Sequence, residues 1–131
     1  MKIKSDFFEF YKTLSESEIT EMIQNMEVFN PEGHPISNYN KAFLKFQNKE
    51  LNFTVIAGYQ QWQKFGRNVR KGVHGTWIFI PAMKKTVDEK TGKKTGEEEF
   101  DRFLMARVFD ITQTFDLKDQ AKKGQVKPEL T

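Results

Sequence analysis

The 131 residues contain no cysteine, so disulfides, thiolate metal sites and thiol catalysis are excluded. That absence is compatible with a reducing compartment, and a cytoplasmic location is the expectation. Histidine is nearly as scarce, with only His34 and His74. Neither belongs to an H-E-x-x-H pattern, and no cysteine can complete a zinc site with them. No G-x-x-x-x-G-K-[ST] phosphate loop and no G-x-S-x-G nucleophile elbow occur. No apolar run approaches the ~20 residues of a membrane span. The start, Met1-Lys2-Ile3-Lys4-Ser5-Asp6, leads into no signal-peptide core. The run Glu97-Glu98-Glu99 reads as a solvated face of a hairpin tip, not as an acid/base pair. The expectation is therefore a protein that is not an enzyme and needs neither metal nor cofactor.

What the chain does have is phenylalanine, 13 in all, and an uneven charge. Residues 1–30 hold three lysines against six acids, whereas residues 58–85 hold six basic residues and no acid. The overall charge is only +3, so the positive field is concentrated in one segment. A field of one sign attracts a polyanion.

The spacing of apolar residues outlines the elements. Asp6, three residues before Glu9, reads as a helix N-cap ahead of Phe7, Phe8, Phe10, Tyr11 and Leu14. Ser15 with Glu18 forms a second capping box, followed by Ile19, Met22, Ile23 and Met26 on one helical stripe. Asn30-Pro31-Glu32-Gly33-His34-Pro35 is a loop. Asn38 or Asn40 caps a short helix bearing Ala42, Phe43, Leu44 and Phe46. Leu51 to Ala57 reads as a strand, and Gly58 ends it. Tyr59 to Phe65 is a short helix closed by Gly66. Arg67 to Gly75 reads as a basic loop, Thr76 to Met83 as a strand, and Lys84 to Glu99 as a charged hairpin tip. Phe100 to Thr114 is a long strand, apolar on both faces over Phe103 to Val108. The fold class is α+β, with N-terminal helices packed on a small, mostly antiparallel sheet that carries a long charged hairpin. One domain spans residues 1–117, and residues 118–131 form a polar tail expected to fray.

A protein that holds an unpaired strand needs cations along the phosphates and flat rings for the bases. Residues 58–85 interleave both: Tyr59, Trp62, Phe65, Trp77 and Phe79 with Lys64, Arg67, Arg70, Lys71, Lys84 and Lys85. Arg67, Arg70 and Lys71 have no acid nearby in the sequence and are assigned to phosphate. One of Trp62 and Phe65 is core. Ile78 and Ile80 are the better core pair of their strand, which leaves Trp77 and Phe79 facing either the helices or the ligand. A competing reading makes the acidic helical face from Glu16 to Glu27 a docking surface for a basic protein, as in an inhibitor or adaptor of a host enzyme.

The run Gly58 to Pro81, with its Val69-Arg70-Lys71-Gly72-Val73-His74-Gly75 turn leading into a strand, resembles the N-terminal domain of the ArdC family. Arg107-Val108-Phe109-Asp110-Ile111-Thr112-Gln113 is similar to the family's late V-F-[ND]-x-x-Q strand, and Arg107 joins the candidate set there. Asn30-Pro31-Glu32-Gly33 with Tyr39-Asn40 is a looser match. The resemblance covers roughly residues 5–115. It implies binding of single-stranded DNA with little sequence preference, in the transfer, replication or antirestriction biology of plasmids, phages and conjugative elements. Residue chemistry alone does not separate DNA from RNA; the resemblance tips the choice to DNA. Full-length members often add a zincin-like metallopeptidase domain, and these residues carry no such motif. The chain is then a stand-alone module or a piece of a longer protein.

Overall fold

The computed structural model describes residues 2–122. In chain order the elements are α1 (Lys2–Tyr11), α2 (Glu16–Ile23), α3 (Asn38–Gln47), β1 (Ile56–Ala57), α4 (Tyr59–Lys64), β2 (Arg67–Val69), β3 (Thr76–Val87), β4 (Lys94–Asp110), a 3-10 turn (Ile111–Gln113), β5 (Thr114–Asp116) and α5 (Leu117–Lys122). The fold is α+β. An antiparallel sheet runs in the order β1-β4-β3, and β2 pairs with β5 in a separate two-stranded ladder.

Local sequence accounts for the helix starts, with two shifts. Ser15 caps α2 as its pattern predicts: Ser15 Oγ accepts from the Glu18 N–H at 3.2 Å and Glu18 Oε1 accepts from the Ser15 N–H at 2.9 Å. The hydrogen bond from the Ser15 backbone, and then that from its hydroxyl, hold the Glu18 carboxyl below its usual range. Asp6, expected as a cap, lies inside α1 instead. Ile3 and Phe7 share one stripe, so the helix gains a turn at its start. Ser37, not Asn38 or Asn40, caps α3 by accepting from the Asn40 N–H at 3.2 Å.

Asn40 is occupied elsewhere. Its amide accepts from the Phe79 N–H and donates to the Phe79 carbonyl, both at 2.8 Å. Two helical turns later, Gln47 repeats the arrangement on Trp77, accepting at 2.9 Å and donating at 2.8 Å. These two amides occupy the outer edge of β3 as a neighbouring strand would, which protects an otherwise open edge. Pro81, next along the same edge, has no N–H to leave unpaired.

The sheet is covered on both sides. Ile78 and Val108 pack with Val28, Leu44, Phe53 and Ile56. Phe79 packs on the other side against Phe7, Ile23, Ala42 and Phe43. Trp62, Phe109 and Ala57 form a third cluster under α4.

The expected strand Leu51 to Ala57 contracts to two residues. Its earlier part bonds to Phe29, which donates to the Thr54 carbonyl and accepts from Ile56 N–H, each at 2.9 Å. The late strand begins earlier than expected, at Lys94, and ends at Asp110. Phe103 and Leu104, expected in a doubly apolar stretch, are exposed, because the β3–β4 arm there runs beyond the helices. Of the tail expected to fray, residues 117–122 form α5 and residues 123–131 lie outside the described residues.

Candidate nucleic-acid interface

Two of the predicted residues, Tyr59 and Trp62, pack on Phe109. The Trp62 indole packs against it, and Trp62 Nε1–H donates to the Phe109 carbonyl at 2.8 Å. The Tyr59 ring meets the Phe109 ring edge-on at 6.4 Å. A Cβ on Gly75 would stand 3.0 Å from both the Phe109 ring and the Val108 carbonyl oxygen, so the chain passes β4 too closely for a side chain. Gly72, at φ +86, turns the loop in open space.

The Val-Phe-Asp-x-x-Gln motif is a reciprocal cap. Asp110 is fully buried. Its Oδ1 accepts from the Thr54 N–H at 2.6 Å, and its Oδ2 from the Thr112 N–H at 3.1 Å and the Thr112 hydroxyl at 2.8 Å. Gln113 Oε1 in turn accepts from the Asp110 N–H at 2.9 Å. These motif residues build the turn that places β5 beside β2, with no lone pair aimed outward to a ligand.

Of the residues assigned to nucleic acid, several have other employment. Trp62 is 2% exposed and Phe79 is 6% exposed, so neither presents a face to a base. Phe79 stacks on Phe43 at 4.7 Å. Of the two outcomes left open for Phe79, the structure takes the helix side, where Phe7, Ile23, Ala42 and Phe43 cover it. Ile80, expected in the core, is instead exposed. Arg67 forms a strand with the loop expected of it pulled into β2: its Nε–H donates to Thr114 Oγ1 at 2.7 Å, and Nη1 stands 4.0 Å from Asp116 Oδ2. It staples β2 to β5 and is not free for phosphate. Lys84 faces Glu99 at 3.7 Å and Asp101 at 3.9 Å, and Lys85 faces Glu98 at 3.4 Å. The cross-strand register neutralises both, so the hairpin half of the basic window is not a cationic surface.

Lys64, Arg70 and Lys71 remain. All three are exposed, and no acid among the described residues lies within ion-pair distance of them. Tyr59 and Phe65, exposed rings, lie on or next to the same helix α4. Arg107 and Trp77 form the last part of the group. They are cross-strand partners, and the Arg107 guanidinium lies over the partly buried indole. A base stacking at this position would meet the guanidinium plane rather than a bare ring.

One set of residues escaped the sequence reading. A groove of about 1140 Å³ runs past the start of α3 and the edge of β3, and Lys4, Phe8, Tyr39, Arg102 and Phe103 help to line it. Lys4 and Phe8 are four residues apart on α1, on one helical face. The only available signal was the high phenylalanine content, which does not say which rings are covered.

Residues 11–111 match the family described as the N-terminal domain of anti-restriction factor ArdC. Two solved structures share the fold, both of the antirestriction ArdC protein from the R388 plasmid. The metal-free form has a TM-score of 0.54 and 22% identity, over 76% of this chain and 36% of that one. The Mn(II)-bound form has a TM-score of 0.51 and 19% identity, over 78% of this chain and 40% of that one. The chain thus spans well under half the length of the ArdC protein it matches. No curated protein matches the sequence. The glycine turn held against Phe109, the reciprocal Asp110–Gln113 cap and the match over residues 11–111 place this chain in the family of ArdC N-terminal domains.

Proposed function

We propose that this domain binds single-stranded DNA with little sequence preference, and serves the transfer, replication or antirestriction functions of a plasmid, phage or conjugative element. The observation that carries this reading is the Arg107–Trp77 stack, two residues from Phe109 on the same face of β4, with the exposed Tyr59 ring edge-on to Phe109. Lys64, Arg70 and Lys71 are exposed, with no acid among the described residues within ion-pair distance. Cations track a phosphate chain, and rings or guanidinium planes accept bases regardless of their identity. In this reading the domain supplies binding, and any chemistry belongs to another domain or another protein.

Titration of oligo-dT, oligo-rU and a duplex at two salt concentrations tests it. Affinity for oligo-dT should fall steeply with salt, and tryptophan emission should change as bases reach the Arg107–Trp77 stack. Flat emission together with no salt-dependent mobility shift overturns the proposal. Tighter binding of oligo-rU than oligo-dT redirects it to RNA.

A further inference from the structure

We infer that the aromatic row at the root of the β3–β4 arm, Phe100 and Phe103 with Phe8 across the groove, is a second base-stacking segment of the same DNA path. This rests on the single-stranded-DNA reading above.

The row exists because of a break in register. Ala82 pairs with Arg102 and Met83 with Phe100, so Asp101 is an extra residue on β4. In regular pleating Phe100 and Phe103 would project from opposite faces, three residues apart. The extra residue turns Phe100 onto the face of Phe103, and the two rings meet at 5.0 Å. Phe103 touches Phe79 at 6.4 Å, and Phe79 touches Phe8 at 5.9 Å. The buried Phe79 thus supports exposed rings on both sides, with Phe8 44%, Phe100 51% and Phe103 59% exposed.

Charge and continuity select the occupant. Lys4 lines the groove beside these rings, and Arg102 lines it while paired with Asp101. Asp101, the acid at the bulge, is held by Arg102 at 2.5 Å and by Lys84 at 3.9 Å. Beyond it, residues 84–99 carry five lysines and five acids, so the arm itself neither attracts nor repels a polyanion. Phe103 and Arg107 share one face of β4, four residues and about 13 Å apart. A strand seated on Arg107 therefore continues along β4 onto rings beside Lys4. Exposed rings on a supporting aromatic, beside basic side chains, suit unpaired bases.

The test is a length series of oligo-dT, from about 4 to about 16 nucleotides, with the wild type and with Phe100→Ala combined with Phe103→Ala. Both rings are mostly exposed, so the variant should fold; Phe103→Tyr keeps a stacking surface and controls for packing. The expected result is a loss of about tenfold or more on the long oligonucleotide, with the short one unaffected, the salt dependence unchanged and Phe103→Tyr close to wild type. A double variant that matches the wild type on the long oligonucleotide overturns this inference and leaves the Arg107 site standing. Wild-type self-association in sedimentation that the double variant abolishes also overturns it, since the row is then a contact between copies. A wild type with no affinity at any length overturns the nucleic-acid reading itself.

Discussion

Arg107 stands opposite Trp77 in the β3–β4 register, with its guanidinium carbon 4.7 Å from the centre of the indole ring. The pair joins two segments that are far apart in the sequence, one from each family motif. It converts a partly buried tryptophan into a cationic, planar surface. An exposed pair of this kind contributes about 0.5–1 kcal/mol to stability, so its removal should not unfold the domain.

Arg107→Ala should therefore cost about tenfold or more in oligo-dT affinity while changing unfolding free energy by no more than about 1 kcal/mol. Arg107→Lys keeps the charge and loses the plane, and should fall between the two. Fluorescence titration and urea unfolding on the same samples separate these effects.

Charge reversal tests the phosphate track. Arg70→Glu with Lys71→Glu should weaken single-strand binding far more than Lys90→Glu with Lys93→Glu at the hairpin tip. Neutralising two phosphate contacts lowers the slope of log affinity against log salt by about 1.4. Equal losses from the two pairs would mean that the charge acts globally. Arg67→Glu belongs to neither set, because it breaks the β2–β5 staple and should lower stability first.

Trp62 tests the packing on Phe109. Trp62→Ala removes a buried ring and should cost about 3–5 kcal/mol. Trp62→Phe keeps most of the packing but leaves the Phe109 carbonyl without its donor, a loss of about 1–3 kcal/mol. Chemical denaturation monitored by circular dichroism reads both.

The two turn glycines should respond differently to alanine. At Gly72 the added methyl meets nothing, and only the positive φ opposes it, so about 1 kcal/mol is expected. At Gly75 the methyl also meets a backbone oxygen and a ring at 3.0 Å. Gly75→Ala should therefore be the more destabilising of the two and should disturb β4 near Arg107, which heteronuclear NMR shifts would reveal.

Tyr39 carries a buried hydroxyl with no hydrogen-bond partner among the described residues. Burial, and then the neighbouring Tyr11, raise its pKa above the usual 10.0. The folded state thus favours the neutral phenol. Its contribution is present below pH 10.0 and is lost as pH rises through the raised value. Tyr39→Phe should be neutral or mildly stabilising near pH 7, and should flatten the alkaline loss of stability. Urea unfolding at neutral and strongly alkaline pH checks the sign.

Much of the local structure was legible from the residues. The Ser15–Glu18 box, the Tyr59–Gly66 helix and its glycine stop, and the strand from Thr76 depend on neighbours within a turn or two. The same holds for the charge-rich hairpin and for the motif turn that identifies the family. The site was only partly legible. An acid-free window showed where cations gather in sequence, but Asp116, Glu98, Glu99 and Asp101 reach Arg67, Lys84 and Lys85 only across strands.

Sequence by itself determined the α+β class, the family and the cationic turn at Arg70 and Lys71, because caps, glycines and charge runs act over short distances along the chain. Only the tertiary structure decided which rings face outward. Trp62 and Phe79 are covered, Phe100 and Phe103 are open, and Arg107 meets Trp77. Each of these outcomes depends on strand register, on the extra residue at Asp101 and on where the helices stop covering the sheet, and none of those is encoded in a window shorter than the fold.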